Sequence, residues 1–124
     1  MNRFFWIVLV LCTFNSITVT AQNQTPDTGE AACRANVPLA ISPNGDGIND
    51  YLNIESNCDI NVFTIRIFNE FNQVVFESNQ VSETWDGSLN GKPLPEGHYT
   101  WNISYQDEAS GMKVRQEGEV ILVR

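Results

Sequence analysis

The sequence predicts an all-β protein with the architecture of an antiparallel β-sandwich of about seven strands. Apolar and polar residues alternate along several short segments, and no segment keeps a helical period over three turns. Turns rich in Gly, Asn, Asp and Pro separate these segments at roughly eight- to twelve-residue intervals, which is typical of sandwiches. The chain is long enough for one ordinary domain.

The first 21 residues have the pattern of a secretory signal peptide. Arg3 precedes a short apolar run, and Val19 and Ala21 stand where signal peptidase requires small residues. We therefore expect cleavage after Ala21. The run is too short to span a bilayer. Cys12 follows a leucine instead of a small residue, so lipid attachment there is the weaker alternative.

After the signal peptide, residues 22–36 predict a flexible leader and residues 37–124 the folded domain. The leader has no apolar period. The whole chain carries seven Lys and Arg residues against 15 Asp and Glu residues, a formal net charge of −8. This balance argues against binding to nucleic acid or to an anionic membrane surface, because both need basic patches. It suits an exported soluble domain.

Cleavage would leave two cysteines, Cys33 and Cys58. In an oxidising compartment two such cysteines are expected to form a disulfide. Closing a loop of this size stabilises a fold by about 3 kcal/mol. The alternative is a zinc site, but two thiols and the single distant His98 form a poor ligand set.

The expected strands alternate so that one face is apolar and the other polar. The clearest is HYTWNISY, in which Tyr99 and Trp101 point to one face and His98 to the other. The final segment is expected to be either a strand pair or one long strand broken near Gly118. The expected strands are residues 37–41, 51–54, 61–69, 73–78, 98–105 and 112–124. The expected aromatic core residues are Phe63, Trp85, Tyr99 and Trp101.

The loop SPNGDGIND, residues 42–50, offers a candidate calcium site. Asp46, Asn49 and Asp50 could supply oxygen ligands to a hard cation. Their spacing does not fit an EF-hand loop, and Ile48 stands where an alternating set of ligands would need oxygen. Calcium binding is therefore the alternative interpretation of this loop.

The favoured interpretation is a turn that shapes the start of the next strand. Gly45 and Gly47 allow positive φ angles, and the side chains of Asn44, Asp46 and Asn49 can bond to nearby backbone in Asx turns. Under this interpretation the protein needs no cofactor, and Ca²⁺ would be the one to test.

Enzymatic activity is not expected. His98 is the single histidine and lies on the polar face of its strand, and both mature cysteines are expected to be bonded to each other. Neither a Ser-His-Asp nor a Cys-His set can be assembled without that imidazole. The acidic pairs near Asp107 and Glu117 have the positions of solvated surface charge.

Five motifs together resemble a known family. In order, the chain contains SPNGDGIND, IFN with a hairpin and VVFES, the turn Trp85-Asp86-Gly87, NGKPLPEGHY and the closing GEVILVR. This series resembles the gliding motility-associated C-terminal domain, the type B sorting domain of the type IX secretion system. The resemblance covers roughly residues 37–124.

The resemblance implies an immunoglobulin-like sandwich that acts as an export tag. Its implied partners are the type IX translocon or shuttle proteins of the outer membrane, or surface motility proteins. Its implied location, after passage through the periplasm, is the cell surface, the outer membrane or the medium. The family hairpin usually reads Asn-Arg-Trp-Gly, whereas here it is Asn69-Glu70-Phe71-Asn72. The family domain also follows a long cargo protein, so this chain is expected to be a stand-alone domain.

The last strand is the expected partner-binding element, because terminal strands can pair with the edge of another sheet. Its residues are Val120, Ile121, Leu122, Val123 and Arg124. An extracellular adhesion or scaffold module, stiffened by Ca²⁺ at residues 42–50, is the alternative function. A small extracellular inhibitor or enzyme is the third possibility.

Overall fold

The computed structural model describes residues 32–124. The predictions for the signal peptide and for most of the leader fall outside this range. The strands are β1 (Ala35–Asn36), β2 (Ala40–Ile41), β3 (Glu55–Ser56), β4 (Ile60–Phe68), β5 (Val74–Ser78), β6 (Ser88–Leu89), β7 (Lys92–Pro93), β8 (Gly97–Asp107) and β9 (Lys113–Leu122). Across residues 32–124 there is no helix long and apolar enough to cross a membrane.

One five-stranded sheet dominates the domain, with the strand order β2-β9-β8-β4-β5. Its ladders are antiparallel except for the short parallel pair between β2 and β9. Two further sheets have two strands each, β1-β3 and β6-β7. The predicted all-β sandwich is confirmed, although the described strands number nine and one ladder is parallel.

The core lies on the inner face of the large sheet. Its buried residues on that sheet are Ile41, Phe63, Ile65, Ile67, Val75, Tyr99, Ile103, Tyr105, Val120 and Leu122. The buried residues that cover them from outside the sheet are Ala35, Val37, Leu52, Ile54 and Trp85. Burying apolar area on both layers drives their association. Of the four predicted core aromatics, Trp101 alone is only partly buried.

The final segment is one continuous strand, β9, and Gly118 does not break it. Gly118 pairs with Trp101 on β8, and a Cβ atom at this position would lie 2.6 Å from Cζ2 of that indole. A glycine is therefore required here by the close approach of the tryptophan ring, since any side chain would overlap it.

The two short N-terminal strands are less extensive than predicted. In the segment 37–41 only Ala40 and Ile41 join a ladder, although the Leu39 carbonyl also accepts the Ile121 N–H at 2.9 Å. In the segment 51–54, Leu52 makes a single bridge to Trp85. Leu52 and Ile54 are nevertheless buried, as the alternation of residues 51–54 predicts. The alternation therefore indicates which side chains are buried, but not how many residues of the segment form backbone pairs with another strand.

A disulfide joins Cys33 and Cys58, as the sequence predicts, with their Cα atoms 5.4 Å apart. It ties the segment before β1 to the segment after β3. Close by, the Gln116 side chain of β9 bonds both the N–H and the carbonyl of Ala35, at 3.0 and 3.1 Å. The Tyr105 hydroxyl lies 2.7 Å from Gln116 Oε1. These contacts hold β1 beneath the large sheet.

Candidate functional site

Three sequence motifs that lie far apart in the chain meet at one end of the domain. We call this the motif end and define it as residues 42–51, 85–96 and 122–124. A shallow depression of about 300 Å³ runs across it. Its lining residues are Pro43, Gly45, Asp50, Tyr51, Asp86, Ser88, Gly91, Pro93 and Arg124. The disulfide and the turn at residues 108–111 lie at the opposite end of β8 and β9.

Asp50 organises the loop at residues 42–50. Its Oδ1 atom accepts the N–H groups of Asn44 at 3.0 Å and Gly45 at 2.8 Å, and its Oδ2 atom accepts the Gly47 N–H at 2.7 Å. These bonds, chiefly those from Gly45 and Gly47, lower the pKa of Asp50 below its ordinary value. A carboxylate that accepts several backbone N–H groups is held in its charged form.

Two Asx turns complete the same loop, as the favoured interpretation predicted for Asn44 and Asp46. Asn44 Oδ1 accepts the Asp46 N–H at 3.0 Å, and Asp46 Oδ1 accepts the Ile48 N–H at 2.8 Å. Asn49 contributes through its backbone instead of its side chain: its φ is 53°, and its carbonyl accepts the Ser42 N–H at 2.7 Å. The carboxylate oxygens of Asp46 and Asp50 thus point at N–H donors of the loop, which supports the turn.

No group of three or more His, Cys, Asp or Glu side chains within residues 32–124 is arranged to hold a metal ion. The three candidate calcium ligands, Asp46, Asn49 and Asp50, are used differently in this loop. Two of them accept backbone N–H groups through their side chains, and the third bonds through its main chain. The contacts therefore do not favour the calcium interpretation.

The Trp85-Asp86-Gly87 turn anchors the motif end to the core. Trp85 is buried, its Nε1 donates to the Ser88 carbonyl at 3.0 Å, and its ring meets Tyr99 edge-on with centroids 5.2 Å apart. Gly87 has a φ of 75°, and a Cβ atom there would lie 2.7 Å from a methyl group of Leu122. Only glycine satisfies both conditions at this position.

The Arg124 side chain forms hydrogen bonds with the same turn and with Leu94. Its guanidinium donates to the carbonyls of Gly87 at 2.9 Å and Leu94 at 3.1 Å. The Leu94 N–H donates back to the Gly87 carbonyl at 2.9 Å, and Glu96 accepts the Arg124 backbone N–H at 2.5 Å. The sequence does not predict this role of Arg124. The guanidinium bonds to backbone carbonyls, and no pattern in the sequence indicates which carbonyls will lie beside it in the fold.

The predicted partner-binding strand lies between two neighbours. Val120 and Leu122 are buried. Ile121 pairs with His98 of β8 on one side, and on the other its N–H donates to the Leu39 carbonyl beside β2 at 2.9 Å. The Val123 N–H donates to the Ile41 carbonyl at 3.0 Å. A partner strand could pair with Ile121 only by displacing β2.

The motif end presents exposed apolar side chains on this fixed frame. Ile48 is 67% exposed and Tyr51 is 52% exposed. His98 lies elsewhere, on the exposed face of the sheet, with Nδ1 3.9 Å from a Glu119 oxygen. The remaining pKa shifts have structural causes: the Ser110 hydroxyl lowers the pKa of Asp107, and burial raises the pKa of Tyr99.

The comparison with known families gives the class of protein, a secretion signal domain. Residues 35–122 match the profile of the CHU_C type IX secretion signal domain, and the chain belongs to this family. The resemblance seen in the sequence is thereby confirmed. The family is defined by a secretion signal and not by catalysis, and membership implies export to the cell surface or to the medium.

Two solved structures are similar to part of this chain. CopC from Methylosinus trichosporium OB3b is 14% identical, with a TM-score of 0.49 over 72% of this chain and 88% of CopC. PorZ, an essential bacterial surface component of the type IX secretion system of Porphyromonas gingivalis, is 11% identical, with a TM-score of 0.41 over 75% of this chain. The chain spans only 12% of the PorZ chain. No curated protein matches the sequence significantly.

Proposed function

We propose that this domain acts as a sorting signal whose motif end is bound by the type IX export machinery. The partners would be translocon or shuttle proteins of the outer membrane. The observation that carries the proposal is the convergence of the family motifs: SPNGDGIND, Trp85-Asp86-Gly87, NGKPLP and the chain end line one depression. Motifs that are separate in the chain but adjacent in space are what a recognition surface requires.

The motif end is also suited to binding because it is held in place before a partner arrives. Asp50 fixes the loop below Ile48 and Tyr51, and Arg124 ties the chain end to the Gly87 carbonyl. A preformed surface loses little conformational entropy on binding, so more of its contact energy appears as affinity. Exposed Ile48 and Tyr51 are the side chains proposed to contact the partner.

The terminal residues 120–124 have a supporting role in this proposal. Leu122 packs beneath Gly87, and Arg124 bonds the turn above it. Removal of residues 118–124 would therefore abolish export through loss of the motif end, without any need for the last strand to pair directly with a partner.

The test is export of the epitope-tagged full chain in a bacterium that has a type IX system. We expect the tag to be digested by protease on intact cells, or recovered from the medium, and to stay in the periplasm of a translocon-deficient strain. The variant Ile48→Ala/Tyr51→Ala should accumulate in the periplasm. The matched control Val62→Ala/Glu108→Ala alters exposed residues at the opposite end and should be exported normally.

Thermal unfolding of both double variants must first show a folded domain. Normal export of Ile48→Ala/Tyr51→Ala would overturn the assignment of the surface. Export of the unaltered chain in the translocon-deficient strain would overturn the proposal that the type IX system exports this protein.

A further inference from the structure

Strand β9 has an unpaired edge over residues 113–119, which we call the β9 edge. The N–H groups of Ile121 and Val123 point away from β8, toward Leu39 and Ile41. Backbone direction repeats every second residue in a strand, so Lys113, Arg115, Glu117 and Glu119 present their N–H and carbonyl groups on that same side. In the part of the chain that the structure describes, no strand pairs with this edge.

The side chains of these four residues are exposed and carry an ordered set of charges. Two basic residues, Lys113 and Arg115, are followed by two acidic residues, Glu117 and Glu119. Gln116 is the midpoint of the β9 edge. The charge therefore reverses sign about the centre of the edge.

An edge of this kind is complementary to a second copy of itself. If the second copy runs antiparallel with the two Gln116 residues facing each other, Lys113 lies opposite Glu119 of the second copy and Arg115 opposite Glu117 of the second copy. Each of these is also a pair in which both backbones present free hydrogen-bonding groups. Opposite charges directly across a ladder stabilise it, and like charges destabilise it.

Neighbouring registers lack this match. If the second copy is shifted by two residues in one direction, Arg115 lies opposite Arg115 of the second copy. If it is shifted by two residues in the other direction, Glu117 lies opposite Glu117 of the second copy. An in-register parallel pairing places every charge opposite a like charge. The charge order therefore specifies one arrangement, which is isologous and closes as a dimer.

Two exposed apolar side chains, Leu39 and Met112, would meet at each end of this antiparallel ladder. In the central register Met112 of the second copy comes opposite Val120, beside Leu39, where β2 begins to cover the strand. Leu39 is 82% exposed and Met112 is 66% exposed, so this contact would bury two exposed apolar side chains at each end of the ladder. The ladder stops where β2 starts.

We propose that two copies of this domain pair antiparallel along their β9 edges about Gln116 and join their five-stranded sheets into one. Charged residues on an edge strand ordinarily prevent pairing. A strand with four charges of one sign would do so, whereas this order permits self-pairing and excludes the other registers. The proposal does not depend on the export role and concerns a different surface.

Sedimentation velocity of the purified chain over a concentration series tests the proposal. We expect a monomer–dimer equilibrium that weakens with added salt, because exposed ion pairs are screened. The variants Lys113→Glu/Arg115→Glu and Glu117→Lys/Glu119→Lys should each dimerise roughly tenfold or more weakly. An equimolar mixture of the two should form a heterodimer. The fourfold variant with all four charges exchanged is the matched control and should dimerise like the unaltered chain.

Hydrogen exchange locates the interface. At concentrations where the dimer forms, the amides of Arg115 and Glu117 should exchange more slowly than in the Lys113→Glu/Arg115→Glu variant. The amides of Val114 and Gln116, which bond to β8, should exchange alike in both. A chain that stays monomeric at millimolar concentration would refute the proposal. So would a dimer that survives in both double variants, since that dimer would use another surface.

Discussion

Gly118 has no side chain, and this allows the Trp101 ring to pack directly against the backbone of β9. Trp101 lies across Gly118, and an added Cβ would be 2.6 Å from Cζ2 and 2.9 Å from Cε2 of the indole. The ring would have to leave its partly buried position, and such overpacking costs more than an alanine gains over glycine in a strand. We expect Gly118→Ala to lower the free energy of unfolding by about 1–2 kcal/mol in urea.

A smaller residue at position 101 provides the control for this substitution. In a Trp101→Leu background the added methyl has room, so Gly118→Ala should cost little or become stabilising. An equal penalty in both backgrounds would show that the tryptophan is not the reason for the glycine. Such a double-mutant cycle isolates the contact between the two side chains.

Asp50 makes the stability of the motif end depend on acid. Its pKa is lowered in the folded domain by N–H donors from Gly45 and Gly47, so folding favours the charged carboxylate. A lowered folded-state pKa stabilises the domain at pH values above the ordinary range of aspartate, and the contribution is lost as the pH falls through the folded-state value. We expect Asp50→Asn to unfold at a lower temperature than the unaltered chain at pH 7.

The difference between the two proteins should shrink as the pH falls below the ordinary range of aspartate and through the lowered pKa of Asp50, because the carboxylate then becomes protonated. Asp46→Asn is the matched control in the same loop, because asparagine retains the oxygen that accepts the Ile48 N–H. Asp107 has a pKa lowered by Ser110 and adds its own acid dependence, so Asp50→Asn removes only part of the acid destabilisation. A melting-temperature difference that does not change with pH would contradict the role given to Asp50.

At the scale of the elements, alternation in the sequence predicts burial better than it predicts pairing. The alternation in β8 predicts one inward face, since a strand places alternate side chains on one face. Three of the four residues on that face, Tyr99, Ile103 and Tyr105, are buried, and Trp101 is partly buried. The same pattern at residues 51–54 predicted a strand, yet Leu52 makes only one bridge. Pairing depends on which distant segment lies alongside, and no local pattern contains that information.

The candidate site was predictable to a similar degree. The turn chemistry of Asn44 and Asp46 follows from residue type, and the structure has both Asx turns. The central role of Asp50 and the clamp made by Arg124 do not, because both depend on N–H and carbonyl groups brought together by the fold. The unpaired β9 edge also depends on the fold, since β2 covers only the end of β9.

The disulfide is the covalent link between the outer elements β1 and β3. It closes a segment with a sequence separation of 25 residues, and such a link stabilises the folded state chiefly by restricting the unfolded chain. We expect Cys33→Ser/Cys58→Ser to lower the free energy of unfolding by about 3 kcal/mol. A reducing agent should lower the free energy of unfolding of the unaltered chain by a similar amount. It should leave the free energy of unfolding of the double variant unchanged. An oxidised chain no more stable than the double variant would contradict this prediction.

At the scale of the whole molecule, the two proposed surfaces are separate in position and chemistry. The motif end offers apolar side chains on a hydrogen-bonded frame, and the β9 edge offers an unpaired backbone with complementary charges. Arg124 is connected to the first surface alone, through the carbonyls of Gly87 and Leu94. Altering it therefore tests whether the two surfaces act independently.

We expect Arg124→Gln to speed hydrogen exchange at the Leu94 amide and to reduce export, while the monomer–dimer equilibrium of the chain stays unchanged. The reason is that the shorter amide cannot reach both carbonyls, so the turn above Leu122 loosens while β9 remains paired with β8. Arg66→Gln is the matched control, since Arg66 is an exposed arginine whose ion pair with Glu77, at 3.3 Å, lies on the large sheet. If the Leu94 amide exchanges faster and export remains normal, an ordered motif end is not what the export machinery binds.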